Sequence, residues 1–154
     1  SGNISLKGYN TDYYGFKCSL EMLPVKPENA IVLGTGGASR AVCEVLQDLN
    51  ISFVNVSRNP KIDSHITYGE IGLHLHKPKS LLINTTPVGM LGFPQKNLNL
   101  PLQAFPMSFQ FIDLIYNPNQ TPLLTECKEK GLNCMNGSLM LQKQAERAWE
   151  ILKK

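Results

Sequence analysis

Two short segments carry residue types that could do chemistry together. One is the glycine run Gly34-Thr35-Gly36-Gly37-Ala38; the other is the tripeptide Ser57-Arg58-Asn59. The glycines follow the apolar stretch Ala30-Ile31-Val32-Leu33, and a helical pattern opens at Ala38. Strand, glycine turn and helix in that order form the phosphate-binding unit of a Rossmann fold. Gly34 permits the tight turn off the strand, and Gly36 removes a Cβ that would collide with a pyrophosphate. The free N–H groups and the positive dipole end of the next helix then face the anion. The third fingerprint position is Ser39 rather than glycine or alanine, so the match is one residue short.

The tripeptide separates the two nicotinamide dinucleotides. A site for NAD places an acid roughly 20 residues beyond the turn, on the ribose 2′-hydroxyl. Here that region reads Asn55-Val56-Ser57-Arg58-Asn59; Asp48 lies back in the helix and Asp63 lies past Pro60. An arginine suits a 2′-phosphate through a charge-assisted contact, which a carboxylate would repel. Ser57, Arg58 and Asn59 therefore point to NADP.

Other reactive side chains say less. Asp12, in Asn10-Thr11-Asp12, reads by itself as a helix cap, and Gln144 as a helix-surface residue. His74 and His76 stand two apart, a spacing that could aim both at one metal from a strand, but no acid or cysteine flanks them. No metal site is expected. Cys18, Cys43, Cys127 and Cys134 lack C-x-x-C spacing and read as buried small hydrophobes in a reducing cytoplasm, with neither zinc nor disulfides.

The elements that must position these residues follow from the pattern. The 154 residues suit one domain with a real core. The net charge of +3 is too small and too scattered to argue for nucleic acid or a membrane surface. An edge strand or extended run is expected over residues 4–9, then a helix from Asn10 to before Pro24, its first turn weakened by Gly15. Strands are expected at 30–34, 51–56, 80–84, 109–115 and 132–135, with a possible short strand near Ile66–Tyr68 in the hard-to-read stretch 61–79. Helices are expected at 38–49, from Thr121-Pro122 to about Lys130, and at 138–153; a long loop covers 91–106. The apolar stripe of the first is Ala38, Ala41, Val42, Val45, Leu46 and Leu49, and Asn50 stops it. The last buries Leu141, Ala145, Ala148 and Leu152, with Met140, Gln144 and Trp149 beside that face. Alternation of this kind gives an α/β, Rossmann-like, doubly wound and mostly parallel sheet with helices on both faces.

Five motifs occur in order: Gly8-Tyr9-Asn10-Thr11-Asp12-x-x-Gly15-Phe16, Gly34-x-Gly36-Gly37-Ala38-Ser39-Arg40-Ala41, Asn84-Thr85-Thr86-Pro87-x-Gly89-Met90, Asp113-Leu114-Ile115-Tyr116-Asn117-Pro118-x-x-Thr121-Pro122-Leu123-Leu124, and Asn136-Gly137-x-x-Met140-Leu141-x-x-Gln144-Ala145. Together they span nearly the whole chain, and the set resembles the NADP-binding half of shikimate dehydrogenase. The resemblance implies a cytoplasmic enzyme of aromatic amino-acid biosynthesis. It would reduce 3-dehydroshikimate to shikimate with NADPH, reversibly, in a cleft between two domains. By motif position Asp12 resembles the aspartate that contacts the reacting hydroxyl and partners a catalytic lysine, while Tyr116 and Gln144 resemble substrate contacts. The turn Gly34, Thr35, Gly36, Gly37 and Ala38, with Ser57, Arg58, Asn59, Leu114 and Gly137, resemble cofactor contacts.

The family's lysine motif, Asn-Val-Thr-x-Pro-x-Lys, has no counterpart here, and Lys7 does not match it. The serine pair of the family's first domain is missing as well. Residues 1–154 are thus expected to form a single NADP-binding domain, inactive alone, that shares its small-molecule substrate with an absent N-terminal domain. Ser57-Arg58-Asn59 replaces the commoner Asn-Arg-Thr, and Ile62 stands where a second basic residue often follows, which leaves dual cofactor use open. Alternatives are a quinate/shikimate dehydrogenase with relaxed cofactor use, or a non-catalytic NADP-binding regulatory module. A pure sensor would have no use for Asp12, Tyr116 and Gln144.

Overall fold

The structure is a computed structural model that describes residues 10–60, 62 and 65–153. The extended run expected over 4–9 lies outside the described residues. Helix α1 (Thr11–Glu21) leads into β1 (Asn29–Leu33), α2 (Gly37–Asp48), β2 (Ser52–Val56) and β3 (His65–Ile66). Then come β4 (Ser80–Asn84), β5 (Gln110–Asp113), α3 (Pro122–Glu129), β6 (Asn133–Met135) and α4 (Ser138–Leu152). Among the described residues the strands form one sheet in the order β3-β2-β1-β4-β5-β6, and each recorded pairing is parallel. The chain leaves β1 toward one edge and returns at β4 to build the other, so β1 and β4 flank the point where the winding reverses.

Alternation along the strands divides the core. Ala30, Val32, Leu81, Ile83 and Ile112 face α1, α2 and α4, meeting Phe16, Val42, Val45, Leu46 and Met140. Ile31, Leu33, Leu82 and Phe111 face the other side, meeting Ile71, Leu102, Phe105, Leu123 and Cys127. β4 is buried at every position, as a central strand covered on both faces must be.

Several local expectations hold. Asn50 adopts φ 55° and stops α2, while Thr121 caps α3 by accepting from Leu124 N at 3.3 Å with Pro122 in its first turn. Others change. The α1 cap is Asn10, whose side chain accepts from Tyr13 N at 3.1 Å; Asp12 sits inside the first turn and is not the cap. Gly15 is a contact rather than a weak point: a Cβ there would lie 2.6 Å from the Met140 carbonyl oxygen, so only glycine lets α4 cross this closely.

On α2, Ala41, Val42, Val45 and Leu46 of the expected stripe are buried, but Leu49 is exposed because it falls at the C-cap, and Ser39 is buried in addition. On α4 the expected core face is turned largely outward: Leu141, Ala145 and Leu152 are exposed, Leu152 by 80%, and Met140, from beside that face, is the buried residue. The close crossing at Gly15 selects the neighbouring stripe through Met140 and Gln144.

Residues Tyr68–His74 form a short 3-10 helix, so His74 and His76 do not share a strand. The four cysteines are free and Cys127 is buried, but Cys18, Cys43 and Cys134 are only partly so. No helix among the described residues is long and apolar enough to cross a membrane.

Candidate functional site

The glycine turn leaves β1 at the reversal point. Gly34 has φ +105°, and a Cβ on it would meet Thr85 Oγ1 at 2.7 Å, so both backbone and space require glycine. Asn55, on the neighbouring strand, pins the turn from below. Its Nδ2 donates to the Gly34 carbonyl at 3.3 Å and to Ser39 Oγ at 3.0 Å, with Cys43 Sγ at 3.4 Å. Ser39 at the third fingerprint position is therefore a bonded partner and not an approximate alanine.

Gly36 is the N-cap of α2 and has no side chain to satisfy the first N–H groups; no acid stands in that first turn. A Cβ on Gly36 or Gly37 would meet nothing within 4 Å. The uncapped helix end thus opens into space, an arrangement suited to an anion.

That space is a cleft of ≈ 490 Å³. Gly34, Thr35, Gly36, Ser57, Arg58 and Asn59 all line it, and among the described residues no carboxylate does. Ser57 Oγ accepts from Asn59 N at 3.2 Å, and Ser57 N donates to the Ile66 carbonyl at 2.9 Å; these bonds hold the tripeptide in a turn. The other wall comes from Thr85 to Val88 and from Phe93, Gln95 and Leu98 of the long loop. A guanidinium, hydroxyls, free amides and an apolar flank fit an anionic dinucleotide carrying a 2′-phosphate.

A second cleft of ≈ 410 Å³ adjoins the first across Thr85, Thr86 and Pro87. Ala38, Leu114 and Tyr116 line it, with Met90, Leu91, Ile115 and Asn117. Tyr116 is 52% exposed. Gly137 shapes this end: it donates to the Ile115 carbonyl at 3.1 Å, and a Cβ there would lie 2.0 Å from the Leu114 carbonyl oxygen. Asp12 and Gln144, 132 positions apart, meet directly: Gln144 Nε2 donates to Asp12 Oδ1 at 2.7 Å. They line neither cleft, so the structure pairs them with each other and places Tyr116 apart from them.

A buried network between the clefts was not singled out as a site from the sequence. Asp113, fully buried, accepts from Asn84 Nδ2 at 3.0 Å and Ile115 N at 3.2 Å on one oxygen, and from Thr121 Oγ1 at 2.6 Å on the other. Asn84 Oδ1 in turn accepts from Thr86 N at 3.0 Å and Thr86 Oγ1 at 2.7 Å. Burial pushes the Asp113 carboxyl above the usual carboxylate range, and the Thr121, Ile115 and Asn84 donors partly offset this. The network joins the loop after β4, shared by both clefts, to the segment that carries Tyr116. An aspartate directly after the apolar pair Phe111-Ile112 was the available signal.

No protein-family model matches the chain. The NADP(+)-type shikimate dehydrogenase of Methanococcus aeolicus is 34% identical over 158 residues, covering 94% of this chain and 57% of that protein. The corresponding enzyme of Clostridium perfringens is 38% identical over 157 residues, covering 94% and 56%. Over this stretch the chain is similar to shikimate dehydrogenases. The crystal structure of the Thermus thermophilus enzyme in complex with NADP(H) and shikimate superposes with TM-score 0.75 at 30% identity, covering 94% of this chain and 56% of that one. The chain therefore spans about half the length of the curated relatives it matches.

Proposed function

We propose that this chain is the NADP-binding domain of a shikimate dehydrogenase, and that the longer protein reduces 3-dehydroshikimate to shikimate reversibly. The observation that carries the cofactor reading is that Arg58 and the uncapped glycine turn line one cleft, with no carboxylate there among the described residues. The 2′-phosphate would rest on Ser57, Arg58 and Asn59, the pyrophosphate on the N–H groups from Gly36 to Ala38, and the nicotinamide end in the second cleft near Leu114 and Gly137. The dinucleotide supplies the hydride.

Reduction of a ketone develops an alkoxide, which needs a proton donor or a positive charge beside it. Asp12, as a carboxylate, accepts hydrogen bonds and orients a substrate hydroxyl. Gln144, held by Asp12 through its amide nitrogen, keeps its carbonyl oxygen for a second hydroxyl, and Tyr116 offers a phenol from the cleft side. The proton donor would be a lysine of a second domain, closing on the Asp12 face. The 154 residues alone would then hold cofactor without turning over shikimate.

The test is titration of NADPH and NADH into wild type and Arg58→Ala, followed by nicotinamide fluorescence. Wild type should prefer NADPH, and the variant should lose about 10-fold or more in NADPH affinity, the size of a hydrogen bond to a charged group, with NADH little changed. Equal loss for both dinucleotides would remove the 2′-phosphate role of Arg58.

A further inference from the structure

We propose that Tyr68 is a second, uncharged ligand for the 2′-phosphate and sets cofactor choice together with Arg58. This rests on the NADP reading above. Ile62, four positions after Arg58, is exposed and does not line the cleft. Tyr68 does line it, on the side of Ser57, Arg58 and Asn59.

Its placement is built into the fold. The ring packs against the core beneath β1, β4 and β5, so the half-buried side chain is anchored. The 3-10 helix that carries it is locked at its start: Glu70 accepts from Thr67 N at 2.7 Å and from Thr67 Oγ1 at 2.8 Å. β3, directly before it, pairs with β2 through Asn55↔His65 and Val56↔Ile66, which sets this segment beside the end of β2 and the tripeptide.

Burial raises the phenol's pKa and the nearby Arg58 guanidinium draws it back down, so the hydroxyl is protonated near neutral pH and sits within the cation's field. Among the described residues, the Tyr68 hydroxyl makes no hydrogen bond. A neutral O–H that lines the same cleft as a guanidinium, with no carboxylate there among the described residues, is a phosphate donor. It reaches a group that NADP has and NAD lacks.

Tyr68→Phe removes the hydroxyl and keeps the packed ring. The probes are 2′,5′-ADP and 5′-ADP, titrated into wild type and variant by calorimetry. The expected result is a roughly 10-fold loss for 2′,5′-ADP, as for a hydrogen bond to a charged group, and less than about 2-fold for 5′-ADP. If wild type prefers 2′,5′-ADP and the variant keeps that preference in full, the role of Tyr68 is overturned while the NADP reading stands. If wild type shows no preference, both fall.

Discussion

The ends of β1 and β5 lie close together on the same side of the sheet but are finished in opposite ways. Beyond β1, the turn at Gly36 leaves the first N–H groups of α2 without a side-chain partner, and added atoms would meet open space. Beyond β5, Asp113 is fully buried and meets donors from Asn84, Ile115 and Thr121. Unmet donors at one end and a closed set of bonds at the other suggest a division of labour: on the proposed function the first end would bind cofactor, while the second holds the loops that line both clefts. Stability and ligand affinity should therefore separate when the two ends are mutated.

The largest stability loss is expected at the closed end. Asp113→Ala strands the Asn84 amide, the Ile115 N–H and the Thr121 hydroxyl, and should cost on the order of 3–5 kcal/mol in urea unfolding. The same carboxyl gives a pH signature. Its folded pKa lies above the ordinary value, so the folded state holds the proton longer. Its contribution to stability is therefore greatest below the ordinary aspartate range, near 3.9, and falls as pH rises through the folded pKa. Subtracting the Asp113→Asn profile from that of wild type should expose this decline; a flat difference would mean that burial does not oppose the charge.

An intermediate effect is expected at Asn55, which supports the open end from beneath. Asn55→Ala loses the bonds to Gly34 and Ser39 and should cost about 1 kcal/mol. Cofactor affinity should fall further than that stability loss implies, because the turn that presents the amides loses its support. A variant with unchanged affinity would show that the turn holds its shape unaided.

These differences bear on what the residues disclosed before any coordinates. β4 was legible to the residue because Leu81-Leu82-Ile83 is an apolar run closed by the polar residues Ser80 and Asn84. That the glycine turn and Ser57–Asn59 line one cleft was legible because the turn is local backbone and the tripeptide ends the neighbouring strand. The exposed stripe of α4 misled because periodicity offers two neighbouring faces on one helix, and Gly15, on a helix far away in the chain, decides between them. Residues 61–79 were opaque because β3 is a two-residue strand whose place is set by pairing with β2, which also hid Tyr68. The bond from Asn84 to Asp113 spans 29 positions and is visible only once the strands lie side by side.

The smallest stability effect, with the largest effect on binding, is expected at Gly36, where Gly36→Ser tests the division most directly. Serine is a favoured N-cap, and its Cβ would meet no protein atom within 4 Å, so thermal stability should be kept or slightly raised. The same hydroxyl would occupy the α2 amides and intrude on the cleft, so NADPH affinity by fluorescence titration should fall by about 10-fold or more. A variant that melts like wild type and binds NADPH as tightly would contradict the assignment of the open end of β1 as the cofactor site.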